Sequence, residues 1–181
     1  PNIILITAHD LGQHLFNYGV KTVQTPNIQI LAKKGILFTN CYSTSAVCSP
    51  GRGSLLTGRY PQSNGLMGLT HSPWWWKLND EEVHMAKLLS QNGYDSYLIG
   101  LQHITSDDIL KYGYKAHLSQ QMYARETVAQ TVKLIKEMEN SSTPFFLKVG
   151  FKEVHRPFKN GKDTVNGVFV PPYLKPTRAI S

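Results

Sequence analysis

The chain has 181 residues, 41% apolar and 17% charged, which suits one domain with a real core and excludes a disordered chain. No apolar run approaches the ~20 residues that cross a bilayer, so no membrane span is expected. The balance of 19 basic to 12 acidic residues, net +7, favours anionic partners, but the lysines are scattered and form no compact run, so nucleic acid is not expected.

The chain opens on Asn2-Ile3-Ile4-Leu5-Ile6-Thr7, with no leader peptide ahead of it, as a mature or cloned boundary would give. Ile3 to Thr7 predicts a buried strand. His9-Asp10-Leu11-Gly12 follows it. Thr25-Pro26 is an N-cap and N1 pair, opening a helix that ends near Gly35. Ile36 to Tyr42 predicts a second strand, with Cys41 as a free, partly buried residue within it. Two cysteines, Cys41 and Cys48, make no disulfide framework.

Cys48-Ser49-Pro50-Gly51-Arg52 then leads into Gly53-Ser54-Leu55-Leu56-Thr57-Gly58-Arg59. Pro50 suits the first position of a helix, which places Cys48 at its positive end, beside free N–H groups that favour an anion. Arg52, about one turn in, can return a bidentate fork to that anion. Gly68-Leu69-Thr70-His71 comes next, and then Trp74-Trp75-Trp76, which fill a core edge or stack on a sugar.

Asp80 is expected to cap a helix carrying Val83, Ala86 and Leu89 and stopping at Gly93, with His84 on its surface. Tyr94 to Ile99 predicts a third strand, followed by Gly100-Leu101-Gln102-His103. Met122 to Glu139 predicts the longest helix, with Val128, Thr131, Ile135 and Met138 on one face. Asn140-Ser141-Ser142 is a glycosylation sequon. Pro144 to Phe151 predicts a fourth strand, apolar apart from Lys148, and leads to Glu153-Val154-His155-Arg156-Pro157. The proline-bearing tail from Asp163 to Ser181 is expected to be a surface excursion. Alternating strands and helices predict an α/β fold, a mostly parallel sheet with helices on both faces. His9-Asp10, Cys48, His103 and His155 each follow a strand, on the rim where such sheets bind ligands.

The Cys-x-Pro-x-Arg spacing with its Leu-Thr-Gly-Arg extension resembles the signature of the type I sulfatases, within the alkaline-phosphatase-like superfamily. The His71 loop is similar to that of the heparan N-sulfatase group. The resemblance implies that a formylglycine-generating or anaerobic sulfatase-maturating enzyme oxidises Cys48 to formylglycine. Hydrated, that aldehyde attacks sulfur with one hydroxyl and expels sulfate with the other. It further implies a divalent cation, calcium or else magnesium, held by Asp10, modified Cys48 and His9. His9 stands where the family has an aspartate, and it is a poor ligand for a hard cation.

By the same resemblance Arg52, His103 and His155 are catalytic and His71 binds substrate; Gln102, which the family motif does not fix, is expected to bind substrate by donating a neutral hydrogen bond. Leu101 replaces a family lysine at Gly-Lys-x-His, and Val154 a family proline. The implied substrate is a sulfated amino sugar and the implied setting is secreted or periplasmic. Residues 1–181 would be the N-terminal part of a longer catalytic domain. Two alternatives are a phosphonate or phosphate diester hydrolase of the same superfamily and a non-catalytic basic domain that binds polyanions.

Overall fold

A computed structural model describes residues 1–156. Among the described residues four strands form one parallel sheet: β1 (Ile3–Thr7), β2 (Asp95–Gly100), β3 (Ala116–Ser119) and β4 (Phe145–Gly150), in the order β1-β4-β2-β3. Among the described residues the α-helices that accompany them are α1 (Pro26–Lys34), α2 (Cys48–Thr57), α3 (Pro61–Asn64), α4 (Met85–Gln91) and α5 (Ala124–Glu137). The chain divides into two compact units, one of residues 1–10 and 42–156, the other containing residues 11–41. The expected tail excursion from Asp163 and the Pro157 end of the last motif lie outside the described residues.

The first unit holds the sheet. Side chains alternate across each strand, so its two faces have separate cores. On one face Leu98 and Phe146 pack with Leu56 of α2, Ala86 of α4, and Leu66, Leu78 and Tyr114. On the other, Tyr97, Ile99, Leu147 and Val149 pack with Leu134 of α5. The helices therefore cover both faces, as alternating strand and helix signals predict.

The ladder register levels the carboxyl edge. Thr7 pairs with Gly150, and Gly150 pairs with Gly100. β1, β4 and β2 thus end flush, and whatever follows each emerges on one rim. Glycine is required where β2 meets β4. Gly100 has φ +78, and a Cβ there would run into the Gly150 carbonyl oxygen. A Cβ at Gly150 would meet the carbonyl of Leu101 in turn.

In the second unit a 3-10 turn, Phe16–Tyr18, closes on Gly19 in the left-handed region. Lys21 Nζ lies 4.3 Å from the centre of the Phe16 ring, and Tyr18 Oη donates to Phe38 O at 3.0 Å. Helix α1 begins with Pro26 at N1 and stops at Gly35, as the sequence signals predict, but the Thr25 side chain makes no cap bond.

Several expectations are corrected. Residues 36–42 are not a strand. Ile36, Phe38 and Tyr42 are exposed, the four sheet positions are filled by other segments, and an apolar run without a neighbouring ladder does not become a strand. Cys41 is free but exposed. The helix expected from Asp80 starts at Met85, because His84 caps it: His84 Nδ1 accepts from Ala86 N at 3.0 Å. His84 is therefore fully buried, not on the surface. On α5 the buried residues are Thr127 and Leu134, while Val128 and Ile135 are largely exposed. Of the expected face, Thr131 is half-buried and Met138 packs against the sheet core, while Thr127 and Leu134 take the inward places expected of Val128 and Ile135. Strand β3, only four residues long, lacks an apolar run that would announce it.

Candidate active site

Helix α2 begins with Cys48 at N1 and Pro50 at N3. The proline still falls in the first turn, where a missing N–H costs no helical bond. Thr57 Oγ1 donates to Gly53 O at 2.8 Å, and Gly58 ends the helix in the left-handed region. Arg59 reaches the nearly buried Glu82 at 2.7 Å. Asn64, fully buried, donates to Thr57 Oγ1 and Arg59 O and accepts from Leu66 N. The Leu-Thr-Gly-Arg extension therefore locks the far end of α2 in place and holds Cys48 and Arg52 at the near end.

Arg52 is buried, and its Nη1 donates to Thr7 Oγ1 at 3.1 Å. Thr7 Oγ1 donates in turn to Val149 O at 3.3 Å. Burial draws the guanidinium below its ordinary pKa, while Cys48 and Asp10 pull the other way. Thr7 ties Arg52 to the carboxyl ends of β1 and β4, a role that nothing in the motif reading assigned to it.

His9 lies two residues beyond β1 and is buried. Its N–H donates to Glu153 O, and its carbonyl accepts from Val154 N, both at 2.9 Å. These bonds join the loop after β1 to the loop after β4. The rings of His9 and His155 stand edge to face with centroids 4.3 Å apart. His9 Nδ1 lies 2.9 Å from Asp10 Oδ1, and His155 Nε2 lies 3.7 Å from Asp10 Oδ2. Asp10 holds φ +59 and His103 φ +54, the strained left-handed region that ordinary residues seldom occupy.

His103 stands 6.0 Å from the His9 ring and lies parallel to His71 at 5.5 Å. His71 in turn meets Trp74 edge-on at 5.5 Å. Burial, followed by the charges of His9 and Arg52, pushes His103 down to about 4. Burial also lowers His9. One ligating atom each from His9, Cys48 and His103 falls within 4.8 Å of the other two, and the same holds for His9, Asp10 and His155.

The sequence-derived residues Asp10, His9, Cys48, Arg52, His71, His103 and His155 thus converge. Gln102 is placed differently: its Oε1 accepts from Ile104 N and Thr105 N, and its Nε2 donates to Thr105 O. Its amide closes the loop that carries His103. That loop borders a cavity of about 580 Å³, lined also by Asp107, His117, Gln120 and Met122. Beneath it Lys148, buried in β4, donates to Leu101 O. Burial and then Arg52 hold its amine well below the ordinary lysine range. The sequence signal for Lys148 was present, as the one charge in an apolar strand.

Calcium takes six to eight oxygen ligands. Among the described residues the candidate group around Asp10 joins that one carboxylate to two imidazoles, His9 and His155. That set alone does not complete a calcium shell.

A family model described as Sulfatase matches residues 1–173. Iduronate 2-sulfatase of Mus musculus is 28% identical over 203 aligned positions, covering 90% of this chain and 36% of that protein. N-sulphoglucosamine sulphohydrolase of Homo sapiens is 28% identical over 159 positions, covering 86% and 32%. A structure solved in complex with its substrate D-glucosamine-2-N,6-O-disulfate superposes with a TM-score of 0.68 at 28% identity, covering 86% of this chain and 35% of that one. The chain spans about a third of the length of these relatives.

Proposed function

Because the chain belongs to the sulfatase family, we propose that it carries the nucleophile side of a hydrolase that cleaves sulfate esters or sulfamates of amino sugars. The observation that carries this reading is the convergence of Cys48, at the first turn of α2, with His9 and His103 at the carboxyl rim of the sheet. In this reading residues 1–181 form the N-terminal part of the catalytic domain.

Cys48 is unpaired with another cysteine and only partly covered, so a maturating enzyme has a free thiol to convert. Converted to formylglycine, the residue supplies a hydroxyl nucleophile toward sulfur. Arg52 and the free N–H groups at the start of α2 bind the sulfate oxygens and stabilise the charge that develops on them. Thr7 holds Arg52 in line. His103, neutral at pH 7, donates one N–H to the substrate rather than a full positive charge. The proton for the departing nitrogen or oxygen comes from His155, half exposed at the mouth of the site. A divalent cation, calcium or magnesium, belongs to this reading through Asp10. The described residues alone do not complete its shell, and no step here depends on it.

The substrate class follows from the relatives that act on glucosamine sulfates, from the exposed His71–Trp74 pair beside His103, and from the positive charge. The test is sulfate release from N-sulfoglucosamine and 6-O-sulfated glucosamine by the whole matured protein at matched ionic strength. Faster release from the N-sulfated sugar is expected. Faster 6-O release would keep the sulfatase and overturn the N-sulfate preference. Cleavage of a phosphonate ester with release of neither sulfate would overturn the proposal.

A further inference from the structure

His9, Cys48 and His103 carry a second chemistry while Cys48 is still a thiol. Their ligating atoms, two imidazole nitrogens and one sulfur, lie within 4.8 Å of one another. That donor set suits zinc and other borderline or soft cations, whereas hard cations prefer carboxylate, carbonyl and water oxygens. A tetrahedral zinc separates such neighbours by roughly 3.4–3.6 Å, given its bond lengths to nitrogen and sulfur. Closure therefore asks for shifts on the order of 1 Å, within reach of small side-chain rotations.

Two further observations point the same way. His9 Nδ1 is engaged by Asp10 Oδ1 at 2.9 Å, which leaves Nε2 as the ligating nitrogen. A carboxylate behind an imidazole is the support that orients metal-bound histidines and raises their basicity. His103 Nδ1 is buried and has no hydrogen-bond partner, so one of the three residues of this group carries an unsatisfied polar atom. Buried polar atoms are seldom left so.

We propose that the chain carrying Cys48 as the unmodified thiol binds one Zn2+ through His9, Cys48 and His103, leaving a fourth position to water. Binding replaces the S–H bond with a Zn–S bond and releases the proton to solvent. A ligated thiolate is no longer free for modification, so the ion and the conversion of Cys48 exclude each other. The inference concerns the thiol state and stands apart from the sulfatase reading.

The experiment uses the whole protein made in a host without a maturating enzyme, with Co2+ as a spectroscopic stand-in. One equivalent of Co2+ is expected to give a near-ultraviolet thiolate-to-cobalt band that Zn2+ bleaches and excess Ca2+ does not. The band should persist in Cys41→Ser and vanish in Cys48→Ser. His103→Ala should weaken Zn2+ binding by at least about 100-fold, more than loss of an outer-shell partner does. Zn2+ should also protect Cys48 from alkylation in the folded wild-type protein, read by peptide mass spectrometry, which needs no variant. A band surviving Cys48→Ser, tight Zn2+ binding without a band, displacement by Ca2+, or alkylation unaffected by Zn2+ would each overturn the proposal. Absence of the metal site with sulfatase activity intact after maturation would leave the proposed function standing.

Discussion

Arg52 is the residue whose chemistry depends most on shape. Its guanidinium bonds Thr7 and still faces the start of α2, two tasks that need a planar fork. In the whole matured protein Arg52→Lys is expected to lower kcat/KM by on the order of 100-fold or more, the loss typical of one lost oxyanion donor, with the thermal midpoint nearly unchanged. Steady-state kinetics beside a melting curve checks it, and near wild-type turnover would make Arg52 structural only. Cys48 carries the second expectation at this scale. Produced with a maturating enzyme, the peptide spanning residue 48 should show the mass of formylglycine, and a host without that enzyme should leave the thiol. Plain cysteine from a competent host would sink the assignment. Most of these site residues could be read from the chain because each follows a strand signal or sits in a tight motif. Thr7 could not, since its role comes from Arg52, 45 residues away in sequence; Lys148 stood out as the one charge in an apolar strand, but its partner Leu101, 47 residues away, did not.

Helix α4 shows how an element can set a pH limit. Its cap, His84, is fully buried against Tyr112 and Tyr114 and is pushed down to about 4, chiefly by burial and then by Lys148. Unfolded, the same group titrates near 6.5. The folded state binds fewer protons between those values, so stability is full above pH 6.5 and falls as pH drops toward 4, by on the order of 3 kcal/mol. His84→Asn keeps a capping acceptor and removes the titration. The variant's denaturant midpoint should vary less between pH 6.5 and 4 than the wild type's, and equal slopes would refute the attribution. The junction of β2 and β4 is the other sensitive element. Gly100→Ala adds a Cβ against the Gly150 carbonyl at a left-handed φ and should cost about 1–3 kcal/mol in chemical denaturation. An unchanged midpoint would mean that the two strand ends can separate freely. β1, β2, β4 and α5 were readable because each is a sustained apolar or periodic run. Residues 36–42 have that run too, and misled for a physical reason: a strand needs a neighbour, and no local pattern states whether one exists. On α5 the expected Thr131 and Met138 do turn inward, whereas Val128 and Ile135 do not, because they satisfy the helical period with those two as well as Thr127 and Leu134 do.

At the scale of the molecule, the rim is assembled from segments far apart in the chain. β1 pairs with β4 from Ile3↔Phe146 to Thr7↔Gly150, whereas β2 and β4 are joined by a much shorter intervening segment. By the logarithmic cost of closing a loop, the β1 pairing is disfavoured by roughly 1 kcal/mol relative to β2–β4. Pulsed hydrogen exchange during refolding should therefore protect β2 and β4 amides before those of β1, and simultaneous protection would contradict this ordering. The same pairing has a consequence for biosynthesis. At about 5–20 residues per second a ribosome needs on the order of ten seconds or more to deliver β4 after β1. Through that interval β1 has no ladder partner, and its apolar side chains are open to whatever the cell offers first, a chaperone or another nascent chain. Cys48 emerges early in the same interval, on a chain that does not yet have the sheet rim that will partly enclose it.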